Sequence, residues 1–317
     1  MKLFGKSFMI VAVTLAMTLM AMSAFAEYPT KPITVIVPYG PGGDSDLSTR
    51  VWADAVEKEL GVPVVVINKA GGSGVVGTTF VANAKPDGYT LMNAGLGTVQ
   101  VSPYFSKTPY TFDSFTPIVK MTAVPLGVVV PVDSKFKTYD DYIAAAKAAP
   151  NKITTGSWGA ASSGTIMASI IANQLGYQPK YVHASGGALS MVSLVGGHIN
   201  AAVSFPPIFG PHIKSGKARL LVLNKKMDAY PNVPTYADYG VKGSFEGWAG
   251  IFAPKGVPAE VVEKLVKVTA KVMKDPKVLK AYQNMNALVD FRHGPEWIAD
   301  MKATNDGMKQ AAASMKK

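Results

Sequence analysis

Apolar positions along the chain fall into short β-branched runs separated by longer stretches with helical spacing, and most runs end in a glycine-rich turn. Residues 33–37 form the first predicted strand. Pro38-Tyr39-Gly40-Pro41-Gly42-Gly43 follows, then a helix to about Leu60 that Asp44 or Ser45 is placed to cap. Residues 62–67 read as a second strand, 71–74 as a turn and 75–84 as a helix. A third strand, 90–93, runs into Ala94-Gly95-Leu96-Gly97-Thr98. This succession predicts parallel βαβ units, whose ligand crevice lies beyond the carboxyl ends of the strands.

A second series opens with a strand at 126–130 and a helix from Thr138 to near Pro150, with Asp141 at the third position of a capping-box-like turn. Strand 153–156, turn 157–164, helix 165–175 and strand 180–183 come next. The turn at 184–187 then leads into a short helix ending at Gly196-Gly197, followed by strands at 201–204 and 218–223. The pattern breaks at Tyr230-Pro231 and Pro234. Beyond it lie a strand at 248–253, a helix from about 259 to 273 with Pro258 in its first turn, and two helices near 276–284 and 295–315.

Composition narrows the class. A chain of 317 residues that is 48% hydrophobic and 17% charged fits one large or two ordinary α/β domains, and argues against a disordered, collagenous or polytopic membrane protein. The formal charge of +11 points to nucleic acid, an anionic surface or an anionic small ligand. No nucleic-acid recognition motif accompanies it, and Lys264, Lys267, Lys271, Lys274, Lys277 and Lys280 have the spacing of solvated helix faces, so no nucleic-acid partner is expected. With no cysteine, disulfides, Cys-ligated zinc, iron–sulfur clusters and a thiol nucleophile are excluded. The first 26 residues read as a leader: Lys2 and Lys6, an apolar run from Phe8 to Met22, then small residues at Ala24 and Ala26. Cleavage after Ala26 releases a periplasmic protein that is not a lipoprotein, since no cysteine follows the cleavage site.

Gly72-Ser73-Gly74-Val75-Val76-Gly77 has the spacing of a dinucleotide fingerprint, but the strand after it ends without the acid that would hold a ribose. What remains is the physical content of the motif: glycines let backbone N–H groups approach a ligand at a helix N-terminus, which favours an anion. The same device recurs at 40–45, 157–164 and 185–187. Tyr39 and Trp158 sit inside such turns, where they either wall a pocket or pack between domains. Catalytic constellations are poor. Neither H-E-x-x-H nor G-x-S-x-G occurs, and the one alternative is a serine hydrolase using His183 with Ser162 or Ser163. No metal site and no cofactor are expected.

Tyr28-Pro29, Lys31-Pro32-Ile33, Val37-Pro38-Tyr39-Gly40-Pro41-Gly42-Gly43 with Asp46 and Arg50, and Asn68-Lys69-Ala70-Gly71-Gly72 with Gly77 stand in a specific order. Ala84-Lys85-Pro86-Asp87-Gly88-Tyr89-Thr90-Leu91, Gly196-Gly197, Pro231-Asn232-Val233-Pro234-Thr235, Gly247-Trp248-Ala249-Gly250-Ile251-Phe252-Ala253-Pro254 and Gly256-Val257-Pro258 continue it. Over the whole mature chain these resemble the extracytoplasmic solute-binding proteins of tripartite tricarboxylate transporters, the Bug or TctC family. Ser193, where the family often has an acid, and Asn200, where it commonly has Asp, depart from the pattern. The resemblance implies a type II periplasmic-binding-protein fold of two α/β domains, residues 27–125 with 228–317 and residues 126–227, joined by a hinge with crossings near 123–127 and 224–230. It also implies capture of a carboxylate in the cleft and delivery to membrane transporter subunits; the ligand expected is a small mono-, di- or tricarboxylate, with acceptance of an aromatic acid left open, the protein is expected to be a monomer, and a ligand-presenting sensor is the alternative. By position, the expected contacts are Tyr39, Gly42, Ser45 and Asp46, with Asp46 as a cap or water-holder, then Gly72, Ser73, Gly97 and Thr98. From the second domain they are Ser157, Trp158, Gly159, Ser162, Ser163, Ser185, Gly186 and Gly187.

Overall fold

The computed structural model describes residues 28–160, 162–242, 247–285 and 287–315; the expected leader lies outside them. In chain order the first part comprises β1 (Ile33–Val37), α1 (Asp44–Leu60), β2 (Val64–Asn68), α2 (Val75–Ala82), β3 (Thr90–Gly95), α3 (Ser102–Phe105) and β4 (Phe115–Val124). The middle comprises β5 (Gly127–Pro131), α4 (Tyr139–Ala148), β6 (Thr154–Ser157), α5 (Ser163–Leu175), β7 (Lys180–His183), α6 (Gly187–Val195), β8 (Ala201–Ser204), α7 (Pro206–Lys214) and β9 (Ala218–Leu223). The chain ends with β10 (Gly247–Pro254), α8 (Ala259–Val272), α9 (Pro276–Asn284), β11 (Leu288–Arg292) and α10 (Gly294–Met315).

The strands form two sheets, ordered β11-β4-β10-β3-β1-β2 and β7-β6-β8-β5-β9, each the centre of an α/β domain. The parallel pairings are β1 with β2 and β3, and β6 with β7 and β8. These are the βαβ units legible in the sequence. The other pairings are antiparallel, which the parallel expectation did not include: β10 runs between β3 and β4, β11 lies against β4, and β5 lies between β8 and β9. Two crossings join the sheets, after β4 and between β9 and β10. Leu126 and Asn224 tie the two crossings together: Leu126 N–H donates to Asn224 Oδ1 at 2.9 Å, and Asn224 N–H donates back to the Leu126 carbonyl at 2.9 Å.

Local chemistry sets the helix ends. Gly61 closes α1 at φ 69°, a left-handed value that only glycine adopts cheaply. Thr138 and Asp141 form the anticipated capping box on α4. Neither Asp44 nor Ser45 caps α1, however; the cap residue is Gly43, with no side-chain hydrogen bond, and the helix starts at Asp44 itself. The apolar stripe of α1 carries Trp52, Ala53 and Val56 onto the first sheet beside α8 and α9, and the indole N–H of Trp52 donates to Thr269 Oγ1 at 3.1 Å. On the opposite face Trp297 and Met301 of α10 pack against Met92 and Phe252. In the second domain α4 and α5 cover one sheet face and α6 and α7 the other.

Four segments escape the periodic reading. In β4, Thr116, Pro117, Lys120 and Thr122 break up the apolar run; Lys120 is tolerated because it pairs with Asp290 of β11. Helix α7 begins Pro206-Pro207 and contains Pro211, which reads as a loop, although prolines in a first turn sacrifice N–H groups that lack helical partners anyway. The short β11 and the π-helical turn Gly97–Val101 that leads into α3 carry no strong period.

Candidate functional site

The carboxyl ends of β1, β6, β7 and β8 face one another across the gap between the domains. They enclose a pocket of about 220 Å³. From the first domain it is lined by Tyr39, Gly40, Pro41, Gly43, Asp44 and Ser45. The second domain supplies Trp158, then Ser185 to Leu189 with Val192, and finally Phe205 and Ile208.

Two helices begin at this pocket. The first N–H groups of any α-helix have no partner within it. Neither Gly43 at the start of α1 nor Gly186 at the start of α6 brings a capping side chain, so both ends present donors and a partial positive charge. Glycines let the two ends meet. A Cβ built on Gly42 would stand 3.9 Å from Ala188 Cβ, one on Gly40 3.8 Å from the Ser185 carbonyl oxygen, and one on Gly186 4.0 Å from the Gly40 nitrogen. No lysine, arginine or histidine is among the lining residues.

The first turn is braced from behind. The Gly42 N–H donates to Asp46 Oδ2 at 2.9 Å, Arg50 donates to Asp46 Oδ1 and to Asn68 Oδ1, and Asn68 Nδ2 donates to the Tyr39 carbonyl at 3.0 Å. Burial raises the Asp46 pKa, but the hydrogen bonds from Arg50 and Gly42 outweigh it and hold the carboxyl below its ordinary range. Asp46 is therefore the fastener of this turn. Asp44 is different: burial with no compensating charge pushes it up to about 7. Burial also raises Tyr39, whose hydroxyl stays neutral.

Of the expected contacts, Tyr39, Ser45, Trp158, Ser185, Gly186 and Gly187 come together on this pocket. Gly42 and Asp46 stand directly behind it. Gly72 and Ser73 line a separate, more open groove with Phe105, Lys107 and Ala160. Gly159 is packed against Ser73, and Gly97 against Ser163, so these four seat one domain on the other. Thr98 is fully buried, and its carbonyl accepts from the Tyr110 hydroxyl.

Two serines are engaged internally. The Ser162 hydroxyl accepts from the Thr165 N–H and caps α5. The fully buried Ser157 hydroxyl lies 2.6 Å from Thr165 Oγ1 and 2.9 Å from His183 Nδ1. The histidine thus meets Ser157, rather than Ser162 or Ser163 as the hydrolase alternative had it.

Apart from Trp158, the apolar part of the pocket was not read from the sequence. Phe205 packs on Trp158 with ring centroids 4.4 Å apart, and the Trp158 ring lies so close over Gly164 that a Cβ there would overlap it. Leu189, Val192 and Ile208 complete this side. Phe205 follows the end of β8 directly, so the strand-end rule applied to the first two turns would have found it.

The profile of the tripartite tricarboxylate transporter family receptor matches residues 48–294. A Cupriavidus necator protein, "UPF0065 protein in gbd 5′ region", is 35% identical over 273 residues, 84% of this chain and 83% of its own. A solved structure described as a periplasmic transporter is 31% identical with a TM-score of 0.86, over 91% of this chain and 98% of that one. MatC from Rhodopseudomonas palustris, solved with bound malate, is 26% identical with a TM-score of 0.84, over 90% of this chain and all of its own.

Proposed function

We propose that this chain, which belongs to the tripartite tricarboxylate transporter family of receptors, is an exported solute-binding protein that captures a small carboxylate between its domains and delivers it to a membrane transporter of that type. The observation that carries the reading is the meeting of two helix N-termini, both without side-chain caps, at one interdomain pocket. A buried carboxylate without donors costs several kcal/mol, roughly the hydrogen-bonding energy that converging amides and hydroxyls return. The malate bound by MatC is consistent with this chemistry.

In this reading Ser45 and Ser185 add hydroxyls to the backbone donors, while Tyr39 and Trp158 shape the space beside them. Residues 27–125 with 228–317 move as one body and 126–227 as the other. The crossings that carry Leu126 and Asn224 act as the hinge, and the processed protein works as a monomer in the periplasm. The Ser157 hydroxyl that meets His183 is fully buried and also lies against Thr165.

Calorimetric titration of the processed protein, refolded to strip any copurified ligand, tests this against malate, succinate, citrate and benzoate. Saturable one-to-one heats with at least one of them are expected. Binding of none would sink the reading, and turnover of a chromogenic ester that disappears in His183→Ala would replace it with the hydrolase.

A further inference from the structure

The pocket lining combines backbone donors with an apolar wall. The starts of α1 and α6 bring backbone N–H groups to it together with Ser45 and Ser185, and a Cβ built on Gly186 would stand 4.0 Å from the nitrogen of Gly40, in the turn before α1. Gathered in a pocket of about 220 Å³, these donors are the lining's one provision for an anionic group. Much of the remaining lining is Trp158, Phe205, Ile208, Leu189 and Val192, with Ile208 beside Gly187 at the start of α6. None of these offers a counter-charge to a second carboxylate.

Resting on the reading of this pocket as a carboxylate site, we infer that its ligand is a monocarboxylate with a compact apolar body, an aromatic ring or a short branched chain, in place of a di- or tricarboxylate. A second carboxylate buried here would stand unpaired in an apolar wall, which is the costly arrangement. A ring would lie against Trp158 and Phe205, which line the pocket and pack on each other with ring planes 51° apart. Leu189 and Val192 are 53% and 62% exposed, a large apolar lip for surface residues, and a ligand body seated between them and Phe205 covers part of it.

Calorimetric titration with benzoate, hexanoate, benzamide, malate and citrate separates the possibilities. Benzoate or hexanoate is expected to bind about tenfold or more tighter than malate and citrate, a gap comparable with burying a few methylene groups, while benzamide, lacking the anion, fails to compete. Phe205→Leu keeps an apolar side chain for the fold but removes the ring, and is expected to weaken benzoate several-fold without weakening malate. Val192→Lys, at an exposed rim position, is expected to narrow the gap from the other side by giving a second carboxylate a partner. Malate or citrate binding as tightly as benzoate, or a benzoate-to-malate ratio that neither variant moves, overturns the apolar-body inference and leaves the carboxylate reading standing. Failure of every carboxylate overturns both.

Discussion

Replacing Asp44 by Asn isolates the one acid in the pocket lining. Asp44 is 8% exposed at the first position of α1, and burial moves its pKa from 3.8 to about 7. The folded state therefore prefers the neutral form: the contribution of this carboxyl to stability is fully present below about pH 4 and is lost as pH rises through 7. A shift of that size costs about 4 kcal/mol once the group is ionised, of which about 2–3 kcal/mol is lost between pH 5 and pH 8. The N-terminal amides of α1 favour the charge and return roughly 0.3–1 kcal/mol, leaving about 2 kcal/mol. Asn has nearly the same shape and no ionisation. Urea denaturation of both proteins from pH 5 to pH 8 is expected to show Asp44→Asn gaining about 2 kcal/mol on wild type over that span. Carboxylate affinity in wild type should fall over the same range and stay flat in the variant. Stability curves that run parallel from pH 5 to pH 8 would refute the account of Asp44 as a carboxyl buried without a counter-charge.

Gly164→Ala drives a methyl group into the Trp158 ring, and overpacking of this kind costs about 1–3 kcal/mol; a lower Tm and a shifted tryptophan emission check it. Asn224→Ala strands the Leu126 N–H, at about 1–3 kcal/mol if no water replaces the lost acceptor. Hydrogen exchange at Leu126 should accelerate, and a wild-type rate would show that the two crossings are not clamped by this side chain. Asp46→Asn removes the charged partner of Arg50 and should cost about 1–3 kcal/mol at pH 7. Because the wild-type pKa is lowered, this deficit persists above the ordinary carboxylate range and vanishes as acid titrates the wild-type group, which melts at pH 7 and pH 3 will reveal.

Much of the pocket was legible because its polar half is made of backbone. Glycine turns after strands, such as 40–43 and 185–187, announce themselves by composition, and parallel βαβ units aim such turns at a common edge. The same logic over-reached at Ser157 and Ser162, since a serine after a strand is as useful for capping the next helix as for reaching a ligand, and here those hydroxyls are taken up inside the domain. Gly97 and Gly159 carried the right signal for close approach, but what approaches them is the other domain.

By itself the chain's pattern determined the α/β class, the parallel cores of both sheets and the anion-ready turns, because each follows from spacing within a few residues. Only the tertiary structure decided the antiparallel strands β4 and β10, which depend on partners far along the chain, and which turns share one pocket. It also decided the pocket's second character. Phe205, Ile208, Leu189 and Val192 look like ordinary core or surface residues until α6 and α7 bring them beside Trp158, and apolar contact has no local signature: it is a property of what lies opposite, and that is fixed when the second domain packs its helices beside the ends of β6 and β8.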